Sequence, residues 1–177
     1  MGAERLEKKL AHDEVLKVHR ETLFKEWQVL AAELGRSAPT RLLEQLSDTG
    51  FAWRDVARML GVSVAALQKW RRGDRMTGAN RLKIASLVAA CDLITRHYAV
   101  DEIGSWFEMP LVSECPITPT NLYAEDQHQL LFDYASSHSD PEQVLNEFAP
   151  DWRERYRSSF EVYEAGDGEL AVRPKGR

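Results

Sequence analysis

Cysteine is scarce in this chain, since Cys91 and Cys115 are the only two among 177 residues. They do not stand at metal-ligand spacing, and two cysteines cannot supply the dense disulfide framework of a small secreted domain. We expect two free thiols in a reducing cytoplasm, with a disulfide between them as the open alternative. Nothing in the sequence predicts a metal ion or another cofactor.

Long apolar runs are also missing. The longest strongly apolar stretch, residues 84–91, is far too short to cross a bilayer. The charged N-terminus has no apolar segment of the kind found in secretory signals. We therefore expect a cytoplasmic protein without a membrane partner.

Signatures of catalysis are absent from the sequence as well. It contains no glycine-rich phosphate loop, no metal-ligand cluster and no nucleophile elbow. Asp133 and His138 lie close together in the chain, but no nucleophile stands beside them. The sequence thus argues against an enzyme.

The charged residues are distributed unevenly along the chain, whose net charge is −5. Residues 1–38 hold seven basic and seven acidic side chains, residues 39–98 ten and five, and residues 99–177 six and sixteen. A local basic face matters more for binding phosphates than the isoelectric point of the whole chain. The middle segment is therefore the candidate for an anionic partner. We expect the acidic last segment to solubilise the protein or to meet a basic partner.

Residues 53–61 have the pattern of a short helix that ends in a turn. Val56, Ala57 and Leu60 recur at helical spacing and are expected to face the core. Gly61 follows at the point where the chain must turn, because a residue without Cβ adopts positive φ at little cost.

A second helix is expected between Ser63 and Gly73. The Ser63 hydroxyl can cap its first turn, and Leu67 and Trp70, three residues apart, share its buried face. The outward face then carries apolar, amide and basic side chains, namely Val64, Ala65, Gln68, Lys69, Arg71 and Arg72.

This pattern resembles the helix-turn-helix of the Xre/Cro-repressor family of DNA-binding proteins. The matching residues are Ala57 in the first helix, Gly61, Val62 and Ser63 at the turn, and Leu67, Trp70 and Gly73 along the second helix. The resemblance covers about residues 40–98 and implies a DNA-binding domain. The alternative is an ordinary helical hairpin with a basic outer face.

The resemblance implies that the second helix enters the major groove of DNA. Gln68 is the candidate for reading adenine, since an amide can make two hydrogen bonds to that base, and Lys69 can reach guanine or phosphate. Val64 and Ala65 can contact thymine methyl groups, while Trp53 is assigned equally to the DNA backbone or to the core. The complete set of candidate DNA-binding residues is Trp53, Arg54, Ser63, Val64, Ala65, Gln68, Lys69, Arg71, Arg72 and Arg75.

The first segment, residues 1–38, has the pattern of one long helix from about Glu4 to Leu34. An apolar seam is formed by Leu16, Leu23, Trp27, Leu30 and Leu34, and it is interrupted by Arg20. Two interpretations stay open: the helix packs on its own domain, or it pairs with its copy in a homodimer. One unit of this kind contacts only a few base pairs, so specific binding predicts a dimer on an inverted repeat.

The last segment, residues 99–173, predicts short helices followed by a hairpin. Helices are expected around residues 101–109, 127–136 and 141–148, with a proline-rich loop from Pro110 to Pro119. Apolar and polar residues then alternate around Gly166-Asp-Gly168, which is typical of a β-hairpin. Residues 174–177 are expected to form a disordered tail.

The segment from Trp106 to Phe148 is similar to the C-terminal domain of MbcA/ParS-type antitoxins, the Xre-like partners of RES-domain toxins. The residues that carry this resemblance are Trp106, Phe107, Pro110, Thr118, Pro119, Leu122, Leu130, Leu131 and the run from Pro141 to Leu145. It implies a small helical domain that clamps a toxin, while the preceding domain binds the promoter of its own operon.

The sequence therefore predicts a mainly α protein in three parts: a possible dimerisation helix (1–38), a helix-turn-helix domain (39–98) and an acidic interaction domain with a β-hairpin (99–173). The leading hypothesis is a dimeric, sequence-specific transcriptional regulator that binds double-stranded DNA. An antitoxin that neutralises a toxin and regulates its own operon, or a protein–protein adaptor, are the alternatives.

Overall fold

The computed structural model describes residues 2–166 and 168–174, and over these ranges the chain forms ten helices and one antiparallel pair of strands. The helices are α1 (Gly2–Leu34), α2 (Pro39–Asp48), α3 (Trp53–Leu60), α4 (Val64–Arg71), α5 (Gly78–Tyr98), α6 (Ile103–Glu108), α7 (Pro119–Ala124), α8 (His128–Ala135), α9 (Pro141–Phe148) and α10 (Trp152–Arg155). The strands are β1 (Phe160–Glu164) and β2 (Leu170–Pro174). The predicted fold class, mainly α with a C-terminal hairpin, is confirmed.

The long helix α1 is buried only along its second half. Leu23, Trp27 and Ala31 face the core and pack against α5 and α8 of the same chain. Leu16, the first member of the predicted seam, stays half-exposed. The Leu23 and Trp27 portion of the seam is therefore buried within the same chain. Trp27 also donates its indole N–H to the Ser86 carbonyl of α5 at 2.8 Å.

The turn between α3 and α4 forms as its residues predict. Gly61 has φ 63° and ψ 38°, a left-handed conformation that lets the chain leave α3 at once. Ser63 lies in extended conformation and its Oγ accepts a hydrogen bond from the Ala66 amide at 3.1 Å. Leu67 and Trp70 are buried, which sets the rotation of α4 about its axis.

Helix α5 lies at the centre of the molecule. It packs against α1, α2, α3, α6 and α8, and its fully buried residues include Ile84, Leu87 and Leu93. Its first turn is capped by the Thr77 hydroxyl, which accepts from the Asn80 amide at 3.2 Å. A helix that is apolar on most sides is expected to be the central core helix of a small helical protein.

One core crosses the boundary predicted at residue 98. A single cluster of buried residues extends from Leu23 to Trp152, and α7 packs directly on α3. Helix α6 approaches the turn between α2 and α3 so closely that a Cβ placed on Gly104 would lie 2.4 Å from the Thr49 carbonyl oxygen. The segments before and after residue 98 therefore support each other.

The chain ends in an exposed hairpin. Val162 pairs with Val172 and Phe160 with Pro174, so Pro174, which the prediction placed in the tail, belongs to β2. Residues 175–177 and the middle of the predicted Gly-Asp-Gly turn lie outside the described residues. Helix α9 begins as expected, with Asp140 capping the Glu142 amide at 2.9 Å and Pro141 in the first turn.

Both cysteines are free and buried, as expected for the small core residue Cys91. Desolvation raises the pKa of the Cys91 thiol well above its ordinary value, so this group stays protonated and unreactive. Among the described residues, no helix combines the length and apolar content that crossing a bilayer requires.

Candidate nucleic-acid interface

Helix α4 presents an open face while its other face is fixed. Leu67 and Trp70 anchor it, the Ser63 cap holds its first turn, and α2 and α3 support it from behind. The residues on its outer side are Val64, Ala65, Lys69, Arg71 and Arg72, all of them exposed to solvent. This is the arrangement that a short helix needs in order to enter the groove of a nucleic acid.

Three of the predicted residues meet α2 at a shallow notch of about 370 Å³. Gln68, Arg71 and Arg72 form one side of it, and Thr40 and Glu44 form the other. The sequence interpretation missed these two α2 residues. Thr40 directly follows Pro39, which starts α2, and Glu44 lies four residues further on. That spacing predicts that the two side chains share one face of α2.

Gln68 is less open than its predicted role requires. Its side chain is half-buried, and its Oε1 accepts a weak hydrogen bond from Arg71 Nη1 at 3.4 Å. To read a base with both amide atoms, Gln68 must release Arg71, whose guanidinium also lies over the Trp53 ring. Because the bond is long and exposed, breaking it costs little.

Trp53 lies at the edge of the core, which is one of the two positions that the sequence left open. Its indole is half-buried against the core, and the guanidinium of Arg71 lies over the ring, with Cζ 4.4 Å from the ring centroid. A cation–π contact of this kind at an exposed site contributes about 0.5–1 kcal/mol. Trp53 therefore ties the start of α3 to the end of α4.

Arg54 lies apart from the other candidates. It borders a second cleft of about 500 Å³, which α3 forms with Glu108, residues 116–118, Thr120, Asn121 and Tyr156. Its Nε lies 3.7 Å from Asp55 Oδ2, and most of its side chain is exposed. The structure groups Arg54 with Arg58, which the sequence did not single out, and not with the notch beside α4.

The remaining candidates frame the two ends of α4. Ser63 is exposed but its hydroxyl is engaged in the cap, so its part is to hold the helix start. Val64 and Ala65 offer only apolar contact there. Beyond the other end, Arg75 extends from the loop before α5, and like Lys69 and Arg72 it forms no ion pair with any residue that the structure describes.

The region around the interface is basic, and part of its charge is structural. Lys83 of α5 donates from Nζ to the Leu60 carbonyl at 3.3 Å, which satisfies a free carbonyl at the end of α3. Arg81 lies near the start of α5, half-buried. Within the described part of the chain, no group of three or more His, Cys, Asp or Glu side chains is placed to hold a metal ion.

Comparison with models of protein families, with curated proteins and with solved structures finds no match to this chain. The chemistry of the exposed α4 face and the charges around it are therefore the observations from which a function is inferred.

Proposed function

We propose that this protein is a sequence-specific DNA-binding transcriptional regulator that acts as a dimer on an inverted repeat. The observation that carries the proposal is the exposed face of α4. This face and the residue after it carry three exposed cations, the half-buried amide of Gln68 lies at its edge, and the opposite face of the helix is packed into the core. An amide next to basic groups on a protruding helix is the combination that base and phosphate recognition require.

The side chains of α4 are proposed to act in two ways. Gln68 and Lys69 contact base edges, and Val64 and Ala65 contact thymine methyl groups without forming hydrogen bonds. Arg71, Arg72 and Arg75 are proposed to bind phosphates, which gives affinity that is independent of sequence and sensitive to salt. With one amide and one lysine available for base contacts, a single unit discriminates modestly, so two units are required for a specific site.

The dimer contact is proposed to use the first half of α1. The seam around Leu23 and Trp27 is occupied by α5 and α8 of the same chain. Upstream of it, Leu6 and Leu10 lie one turn apart on the same face of α1 and are each about three-fifths exposed. Most helical stability in proteins comes from packing of an apolar face, which this half of α1 lacks within its own chain, and a second copy would supply it.

The proposal is tested by selecting bound fragments from genomic DNA and then measuring binding of the recovered site. The double variant Gln68→Ala and Lys69→Ala is expected to lose specific binding while keeping a similar unfolding midpoint, because Lys69 is exposed and Gln68 is half-buried with one weak hydrogen bond. A matched double variant, Gln28→Ala and Lys25→Ala on α1, is expected to bind like the wild type. An unchanged footprint for the α4 variant would contradict the proposal.

A second candidate function is binding of a protein partner, either as an antitoxin that neutralises a toxin and regulates its own operon or as an adaptor. The observation that favours it is the hairpin, whose one face carries Phe160, Val162, Leu170 and Val172, between 54% and 78% exposed. An uncovered apolar face on an isolated hairpin suits a protein interface.

This candidate is separated from the first by a DNA shift assay at two salt concentrations, about 50 and 200 mM. DNA binding that falls steeply with salt supports the regulator. No binding at either concentration supports the adaptor. For the antitoxin, a toxin gene beside this one and loss of toxin neutralisation in the variant Val162→Glu with Val172→Lys are the expected results. Both proposed functions imply a cytoplasmic protein.

A further inference from the structure

A half-open cleft lies between α1 and α8, away from every residue proposed to contact DNA. Its volume is about 530 Å³, within the range of roughly 300–1,000 Å³ that small-molecule sites occupy. The floor is apolar: Leu23 and Phe132 are buried, and Phe24 exposes 39% of its surface to the opening. The rim is polar, with three basic side chains, one acidic side chain and two amides: Lys17, Arg20, Glu21, Lys25, Gln28 and Gln129.

An ion pair fixes one wall of this cleft. Arg20 donates from Nε to Asp133 Oδ1 at 2.8 Å, and the Asp133 side chain is only 4% exposed. Burial raises the pKa of Asp133, and the hydrogen bond and charge of Arg20 act in the opposite direction. Arg20 is therefore the main group that favours the ionised form of this carboxylate, and the carboxylate in turn holds the guanidinium in place.

The fixed guanidinium still has free donors. Only Nε of Arg20 is used, and its two terminal nitrogens make no hydrogen bond to any residue that the structure describes. Arginine presents its donors as a planar fork that matches a carboxylate, and a fork that is already immobilised loses little entropy on binding.

The charges that remain around the cleft favour an anion. Once Arg20 and Asp133 are paired, Lys17 and Lys25 face a single acidic side chain, Glu21. None of these three side chains forms an ion pair with another described residue. The site thus combines an aromatic floor with a rim whose free charge is positive.

We propose that this cleft is a binding site for a small carboxylate with an apolar, ring-containing body. The body packs on Phe24, Phe132 and Leu23, and the carboxylate meets the free fork of Arg20, with Lys17 and Lys25 alongside. Aromatic floor residues favour a ring because offset or edge-to-face stacking adds to the burial of apolar surface. This site is independent of the proposed DNA binding and stands even if that function is not found.

The cleft also adjoins a residue that touches α5. Trp27 contacts both floor rings, with centroids 5.3 Å from Phe24 and 5.7 Å from Phe132, and donates to Ser86 of α5. A ligand on this floor therefore alters the surroundings of the Trp27 indole. Its N–H resonance gives a local signal of binding.

The test uses 2-naphthoate and its uncharged counterpart 2-naphthamide as probes, in titrations of the full chain by calorimetry and by NMR. Naphthoate is expected to shift the Trp27 indole resonance to saturation and to bind at least about tenfold more tightly than the amide, because charge-assisted hydrogen bonds are the stronger ones. Equal affinity for the two probes, or no saturable shift at the Trp27 indole, would overturn the proposal.

Variants locate the site. Lys17→Gln with Lys25→Gln is expected to reduce the preference for naphthoate several-fold, whereas Lys9→Gln, the same change on α1 outside the cleft, leaves it intact. Arg20→Lys keeps a cation beside Asp133 but removes the fork, and about tenfold weaker naphthoate binding with a similar melting temperature is expected. Full affinity in both cleft variants would show that the probe binds elsewhere and would refute the assignment.

Discussion

Helices α3 and α4 are neighbours of equal length, eight residues each, yet they are held very differently. Helix α3 buries Val56, Ala57, Met59 and Leu60 and packs against α4, α5 and α7. Helix α4 buries only Leu67 and Trp70 and leaves its outer side open. Helix α3 therefore belongs to the buried core, whereas α4 is a surface helix. Because α3 is packed between residues from both halves of the chain, it gives α4 a fixed support while the outer side of α4 stays exposed.

The largest expected effect comes from disturbing the packing of α6 against the turn that leads into α3. Gly104→Ala would place a Cβ 2.4 Å from the Thr49 carbonyl oxygen, in the turn that leads into α3. We expect a loss of about 3 kcal/mol in the free energy of unfolding, at the upper end of overpacking effects. Urea unfolding measures it.

Gly78→Ala is the matched control, because a Cβ at that first residue of α5 meets nothing within 4 Å. It is expected to be neutral or to stabilise by about 0.5 kcal/mol. Equal unfolding midpoints for the two alanine variants would show that α6 does not press on the turn before α3.

A smaller loss of stability is expected on lowering the pH, and it arises at His128 of α8. His128 lies between Trp27 and the α7 residue Tyr123, with both ring centroids at 4.6 Å. Burial lowers the His128 pKa below its ordinary value of 6.5, and Asp126 opposes this only in part. The unfolded chain therefore takes up the proton first, so stability present above about pH 6.5 is lost as the pH falls.

We expect the urea midpoint to decrease between about pH 7.5 and 5.5, and to decrease less in His128→Gln. Lys9→Gln, at an exposed position of α1, should retain the wild-type slope. The urea midpoint of the His128→Gln variant will still depend on pH to some extent, because burial and the neighbouring His19 also lower the pKa of His138. Identical slopes for the wild type and His128→Gln would contradict the assignment.

The smallest effects separate the starts of the two helices. Ser63 caps α4, whereas Ala52 precedes α3 in an extended conformation without any side-chain cap. Ser63→Ala is expected to cost about 1 kcal/mol, and Ala52→Ser to gain about 0.5 kcal/mol. Thermal or urea unfolding shows whether each variant is less or more stable than the wild type. A loss in both variants would mean that Ala52 is held by packing and not by its backbone geometry.

The local features of α3 and α4 were predictable because short-range chemistry determines them. Gly61 at the turn, Ser63 at the cap and the pair Leu67 and Trp70 each act within a few residues, and the structure places them as expected. The hairpin likewise follows from alternation around two glycines.

What surrounds α3 could not be predicted, because those contacts join residues far apart in sequence. The contact of α7 with α3 and the close approach of Gly104 to Thr49 leave no periodic signal. Arg20 looked like an interruption of the α1 seam, yet it pairs with Asp133, 113 residues away. The half-burial of Gln68 likewise depends on α2 and Arg71, and not on its position in the α4 pattern.

The central claim, that the open face of α4 binds DNA phosphates and bases, is tested most directly by the salt dependence of DNA binding. The triple variant Lys69→Gln, Arg71→Gln and Arg72→Gln is compared with Lys25→Gln, Arg96→Gln and Arg155→Gln, which removes the same charge from exposed positions outside α4 and outside the proposed dimer contact. Each phosphate contact contributes about 0.9 to the slope of log affinity against log salt. We predict a slope smaller by about 2–3 for the α4 variant and an unchanged slope for the control; equal slopes for both variants would contradict the account.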